Sequence, residues 1–188
     1  DSARLRMFNL SVLVTDPFMK AVKDDTSWDL IFKGKIYKTV NALDLWNKIM
    51  RGTFEFAEPG VIFIDRINQM NNLAYCEEIA ATNPCGEQPL PPYGACLLGS
   101  INLARFVTNP FELNATIDIE SLSKIVKTAV RMMDNVVDVS RFPLEAQANE
   151  AIAKRRIGLG VTGLADALLM MGLRYGSEDA VSKTEEWL

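Results

Sequence analysis

The sequence contains no histidine. That absence removes the side chain most used as a general base and metal ligand, and it excludes a Cys–His nucleophilic dyad within the chain. Cysteine is scarce, with three residues, Cys76, Cys85 and Cys96. They lack Cys-x-x-Cys spacing and fall short of the four ligands of a structural zinc site, so no metal site is expected. An odd number of thiols in 188 residues does not suit a disulfide-stapled secreted domain. A reducing, cytoplasmic setting is expected instead. Positive charge is not in excess either: 20 Lys and Arg face 24 Asp and Glu. No apolar run reaches the roughly 18 residues of a membrane-spanning helix. Neither nucleic acid nor a membrane is an expected partner.

What remains is an ordinary globular composition, 48% apolar and 23% charged. A chain of this length buries roughly 70% of its unfolded surface and forms one domain by default, or two small ones. The opening DSARLRMFNL carries no signal-peptide pattern and reads as the middle of a polypeptide. A piece of a longer protein is expected.

Strand and helix patterns alternate. RMFNLSVLVTD reads as a strand, followed by a helix with Asp16 as N-cap and Pro17 at its first position. IFKGKIYKTV suggests a hairpin around Gly34, and Leu43, Trp46, Ile49 and Met50 recur at helical spacing. GVIFID and CLLGSINLARFV read as strands, the first apolar enough to be covered on both faces. In DIESLSKIVKTAVRMMDNVVDVS an apolar stripe runs through Leu122, Ile125, Val126, Ala129, Met132, Met133, Val136 and Val137. A polar helix, LEAQANEAIAKRR, and two shorter ones complete the chain, with Gly172 as a C-cap. The pattern is that of an α/β fold with parallel pairing. Gly158, Gly160 and Gly163 match G-x-G-x-x-G, but a polar helix precedes them and no acidic residue follows at the right distance. Close backbone packing is the preferred reading.

The stretch TNPCGEQPLPPYGACLLGS, residues 82–100, is different in kind. Asn83 precedes Pro84, which favours extended backbone. In an extended segment Asn83, Cys85 and Glu87 project to one side, opposite Pro84 and Gly86. An amide that binds hydroxyls, a thiol and a carboxylate base suit a small polar substrate. A carboxylate beside a thiol opposes its ionisation, so thiolate chemistry is disfavoured and hydrogen-atom donation is the alternative. A structural loop is equally open here. Cys85 and Cys96 as buried inert thiols, or as a loop-closing disulfide, satisfy the same composition.

NPCGEQPLPPYGACLLGSINLARF closely resembles the finger-loop region of the large catalytic component of ribonucleotide reductases. Asn83, Cys85 and Glu87 match that family's Asn-x-Cys-x-Glu pattern. FNLSVLVTDPFMKAV, GVIFIDRINQMNN and RRIGLGVTGLADALLMMGLRYGSEDA resemble neighbouring family segments in the same order. The short gap from Cys85 to Cys96 is most like class II, the adenosylcobalamin-dependent enzymes. The resemblance implies an incomplete piece of a ten-stranded α/β barrel, because only about four strand candidates are present. Residues 1–188 are expected to form a single partial domain with a finger loop at about 66–96. The implied activity is reduction of ribonucleotides to deoxyribonucleotides. Cys85 would be the thiyl radical, Glu87 the base, and Asn83 a ligand of the ribose hydroxyls. Cys96 would be a redox-active cysteine whose partner lies outside this chain. The implied partners are a ribonucleotide, the remainder of the reductase chain, a thioredoxin-type reductant and a second copy in a homodimer. Phosphate-binding, effector-binding and C-terminal cysteine segments have no counterpart, so the piece alone is expected to be inactive. A non-catalytic nucleotide-binding or assembly module, or a thiol-disulfide protein using Cys85 and Cys96, are the competing classes.

Overall fold

The computed structural model describes residues 8–188. The start of the first strand candidate, Arg6 and Met7, lies outside them. The chain divides into two compact units, Asp1–Tyr93 and Gly94–Leu188.

The first unit is organised by β1 (Ser11–Val14), which continues through Thr15 into α1 (Asp16–Lys23). The expected cap shifts by one residue. Thr15 has extended backbone, and its hydroxyl accepts the Phe18 amide at 3.3 Å. Asp16 lies inside the first turn instead, where its amide donates to Asp65 at 2.7 Å and its carboxylate accepts Arg66 Nε at 3.1 Å. β2 (Ser27–Phe32) and β3 (Lys35–Asn41) form the expected hairpin. Lys33 and Gly34 both take positive φ at its tip, the two-residue turn that matches strand twist. Asn41 then caps α2 (Ala42–Phe56) by accepting the Asp44 amide at 2.8 Å. α2 returns the chain to β4 (Gly60–Phe63), which pairs parallel with β1 from Ser11↔Gly60 to Val14↔Phe63. Val14, Phe18, Ala21, Val22 and Ala42 form the core, with Trp28 edge-on to Phe18 at 5.3 Å. GVIFID is strand only to Phe63; Ile64 and Asp65 begin α3 (Ile64–Gln69). Within β4, Val61 packs on the core and Ile62, on the opposite face, is buried. Phe63, at the end of the strand, is half-exposed. A ribbon of β5 (Ala81–Thr82) and β6 (Pro89–Leu90) ends the unit.

The second unit begins at β7 (Leu97–Asn102). The expected long strand CLLGSINLARFV breaks at Asn102, whose side chain accepts the Ala104 amide at 3.1 Å and starts a 3₁₀ turn, Leu103–Phe106. A small ribbon of β8 (Val107–Thr108) and β9 (Thr116–Ile117) leads to α4 (Ile119–Val139), capped by Asp118. α5 (Glu145–Lys154) follows, then β10 (Ile157–Thr162), parallel to β7 from Leu97↔Ile157 to Asn102↔Thr162. α6 (Leu164–Met170) and α7 (Glu178–Trp187) close the chain. The core gathers Ile101, Leu103, Ile117, Leu122 and Ala167. Within the predicted stripe of α4, Leu122, Met133 and Val137 are buried, whereas Ile125 and Met132 are exposed. Gly158 and Gly160 lie in mid-strand, so they cannot form a phosphate-binding turn. Gly163 has φ +67°, and a Cβ there would come within 2.2 Å of Asn102 Oδ1. Close packing accounts for Gly163, and the described strands form two-stranded sheets with no closed barrel.

Gly163→Ala should lower unfolding stability by about 1–3 kcal/mol from backbone strain, with the Asn102 clash added. Gly172 has a similar φ of +72° and nothing within 4 Å, so Gly172→Ala should cost less. Equal urea midpoints for the two variants would refute the contact's importance.

Candidate active-site loop and redox thiol

The loop carrying Asn83 is anchored before it turns. Asn68 of α3 accepts the Ile79 amide at 2.8 Å and donates to the Ile79 carbonyl at 3.0 Å, so one side chain clamps the peptide that leads into β5. Thr82↔Pro89 pairing then brings the two arms of the ribbon together.

Between the arms the backbone is not extended. The Gly86 amide donates to the Asn83 carbonyl at 3.0 Å, closing a turn with Pro84 and Cys85 at its centre. Proline suits the first central position because its φ is fixed there, and Gly86 accepts φ +87° as the chain reverses. Alternation along a strand therefore does not explain how Asn83 and Glu87 meet. They meet across a turn: Asn83 Nδ2 donates to Glu87 Oε1 at 2.5 Å. The same amide's Oδ1 accepts the Gln88 amide at 3.0 Å, and the Asn83 amide donates to the Gln88 carbonyl at 3.1 Å. Asn83 is thus half-buried and fully engaged, while Cys85 and Glu87 are exposed. The arrangement presents a thiol at the tip, with an amide–carboxylate pair beneath it.

Cys96 belongs to the other unit and has different surroundings. It immediately precedes β7 and opens into a cavity of about 150 Å³. Val136 and Val137 of α4, Phe142, Ala151 of α5 and Arg156 contribute to the walls. The thiol is partly covered and lies 3.8 Å from the Leu97 carbonyl. Burial pushes it above the usual thiol range, and the positive charge of Arg156 opposes that push. Cys76 is an exposed free thiol on the segment after α3, and its amide donates to the Leu73 carbonyl at 2.9 Å. Among the described residues no cluster of acidic or cysteine side chains could hold a metal ion. Asn68 and Arg156 escaped the sequence reading. An asparagine in a short helix and one half of an Arg-Arg pair carry no local signature of either role.

The family model of the ribonucleotide reductase barrel domain matches residues 1–188. The chain belongs to the ribonucleotide reductase family. Its barrel-domain sequence is 40% identical over 97% of its length to a vitamin B12-dependent ribonucleoside-diphosphate reductase of Thermoplasma acidophilum. It is 42% identical over 95% of its length to the protein of that name in Mycobacterium tuberculosis. A ribonucleoside-diphosphate reductase subunit alpha of Chlamydia muridarum is 35% identical over 78% of the chain. This reductase segment spans about a quarter of the B12-dependent relatives, 23% and 25% of their lengths, and 14% of the chlamydial one.

Burial and ionisation together order the thiols of this reductase segment. Because the thiolate is the attacking species, iodoacetamide at about pH 8 should label exposed Cys76 and Cys85 faster than Cys96. Peptide mapping checks this, and Cys96 labelling first would contradict the described pocket.

Proposed function

We propose that the chain is the finger-loop-bearing part of the catalytic barrel of an adenosylcobalamin-dependent ribonucleotide reductase. The observation that carries the reading is the turn in which Asn83 and Glu87 are hydrogen-bonded beneath an exposed Cys85. The B12-dependent names of the relatives support the choice of cofactor. Both compact units belong, in this reading, to one partial barrel domain, completed by the remainder of a longer chain. The segment alone is inactive. The setting is cytoplasmic, with a ribonucleotide as substrate, a thioredoxin-type reductant and a homodimeric parent.

The chemistry follows from what each side chain can do. Adenosylcobalamin, when bound, supplies the initial radical. The residue present that fits this need is Cys85, an exposed thiol with a transferable hydrogen atom. As a thiyl radical Cys85 takes the hydrogen atom from C3′ of the ribose. Glu87 accepts the proton of the 3′-hydroxyl, and the 2′-hydroxyl leaves as water with a proton from the redox thiol pair. Asn83 orients the ribose hydroxyls. Its donor already points at Glu87, so a 3′-hydroxyl entering between them exchanges one hydrogen bond for two. Cys96 and a second thiol outside this chain supply two electrons and two protons and end as a disulfide. Glu87 then returns its proton to the 3′-oxygen, and Cys85 returns its hydrogen atom to C3′. An enclosed site protects the radical from side reactions.

In the full-length parent, Cys85→Ser should abolish both deoxynucleotide formation and release of free base, because an O–H bond is too strong to relay a hydrogen atom. Cys96→Ser should still permit attack on the ribose, releasing base and inactivating the enzyme. Glu87→Gln should fall about 10²–10⁴-fold in turnover. Cys76→Ser should leave turnover intact apart from a stability cost of about 1 kcal/mol. Base release by Cys85→Ser, or identical behaviour of Cys85→Ser and Cys96→Ser, would turn the reading towards a simple dithiol protein.

A further inference from the structure

The Arg155–Arg156 pair at the end of α5 is split between two tasks. Arg155 takes left-handed backbone at the helix terminus. Its guanidinium turns to α4, donating to Asp134 and Asp138 at 2.7 Å each and to the Asp134 carbonyl at 2.9 Å. It compensates the two α4 carboxylates nearest this end of the unit. Arg156 faces the Cys96 pocket instead. Its position there is set by the sheet, since the Leu97 amide donates to the Arg156 carbonyl at 3.1 Å, one step before the parallel pairing begins. Cys96 and Arg156 therefore sit at matching ends of β7 and β10.

The guanidinium is tethered from behind. Arg156 Nη1 lies 3.3 Å from Glu150 Oε1, with the two side chains only 15% and 20% exposed. Lys154 Nζ lies 2.9 Å from the same carboxylate oxygen. The lining of the pocket is otherwise apolar apart from Ser140, so Cys96 and Arg156 are the two ionisable residues on its wall. Arg141, beside Phe142, is exposed. In so apolar a space the charge of Arg156 is weakly screened and acts on the thiol against the larger effect of burial.

We propose that Arg156 is a positioning residue for Cys96: anchored on Glu150, it holds a positive charge at the pocket wall and stabilises Cys96 as the departing thiolate when its disulfide is reduced. The inference rests on Cys96 being the redox thiol. An external dithiol attacks the partner sulfur of the disulfide, forming a mixed disulfide and expelling Cys96 as a thiolate, which then takes a proton from solvent. The second thiol of the reductant resolves the mixed disulfide. Two electrons pass to the enzyme, and the reductant ends as a disulfide. A better-stabilised leaving thiolate departs faster. Glu150 moderates the effect, because its negative charge partly neutralises the guanidinium. The two residues should therefore act in opposite directions, which a purely structural ion pair would not do.

The test uses the prereduced full-length reductase, with iodoacetamide as the probe and the Cys96 peptide quantified across pH. Arg156→Gln should raise the midpoint pH of Cys96 alkylation by about 0.5–1. Arg156→Lys, which keeps the charge, should remain close to the parent. Glu150→Gln should move the midpoint downward, and reduction of the oxidised enzyme by dithiothreitol should follow the same order of rates. An Arg156→Gln profile that overlays the parent overturns the proposal, as does a shift of both glutamine variants in one direction. If Arg156→Gln fails to fold, Glu150→Gln decides alone: an unchanged or raised midpoint overturns it. The underlying reading fails separately, if Cys96→Ser retains full turnover. The alkylation comparison remains meaningful in that case.

Discussion

A parallel pair of strands cannot be closed by a tight turn; the chain must be carried back to the starting end by a crossover of a dozen residues or more. Both units are built around that constraint. Between β1 and β4 the chain runs through α1, the hairpin and α2, and between β7 and β10 through the 3₁₀ turn, a ribbon, α4 and α5. The helices of each crossover pack on the strands they connect, as Phe18 and Ala42 do on Val14, and Leu122 on Ile101. The proposed redox thiol and its positioning arginine depend on the same pairing. In-register pairing of Leu97 with Ile157 makes Cys96 and Arg156 neighbours, although sixty positions separate them in the sequence.

The finger loop works by different physics. Little of it is buried, so its shape comes from local hydrogen bonds and residue chemistry. Pro84 restricts the backbone, Gly86 permits the positive φ of the reversal, Asn68 fixes one root, and Asn83 joins both arms. The Asn83 side chain spends its acceptor on the backbone of Gln88 and its donor on Glu87. A shape maintained by polar contacts near the surface can reorganise around a ligand at small cost, since an exposed hydrogen bond is exchanged for another. The Cys96 pocket is held by apolar walls and resists such change.

Periodicity made the helices and the parallel α/β character legible, because Leu122, Val126 and Met133 recur at the spacing that one buried face demands. It overstated burial where Ile125 and Met132 extend the stripe, since the pattern records apolar surface without saying what covers it. Local capping was legible only to within one residue: Thr15 and Asp16 are both good caps, and the extended backbone at Thr15 decides between them. In the finger loop the residue types were readable and their geometry was not. Asn-Pro favours extension at Asn83, yet the chain turns through Pro84 and Cys85, so Asn83 and Glu87 meet across a turn and not by alternation along a strand. Arg156 was invisible for a plainer reason. Its neighbour across the pocket is fixed by strand register, which one sequence does not display.

The two-stranded sheets also have a temporal consequence. In the longer barrel proposed above, the outer hydrogen-bonding edges of both parallel pairs are met by strands from elsewhere in the chain, and half-exposed Leu13, Phe63 and Leu98 accompany those edges. Such edges invite pairing with the wrong strand until the right one arrives. Completion of that barrel would fill those edges and cover those apolar side chains in one step.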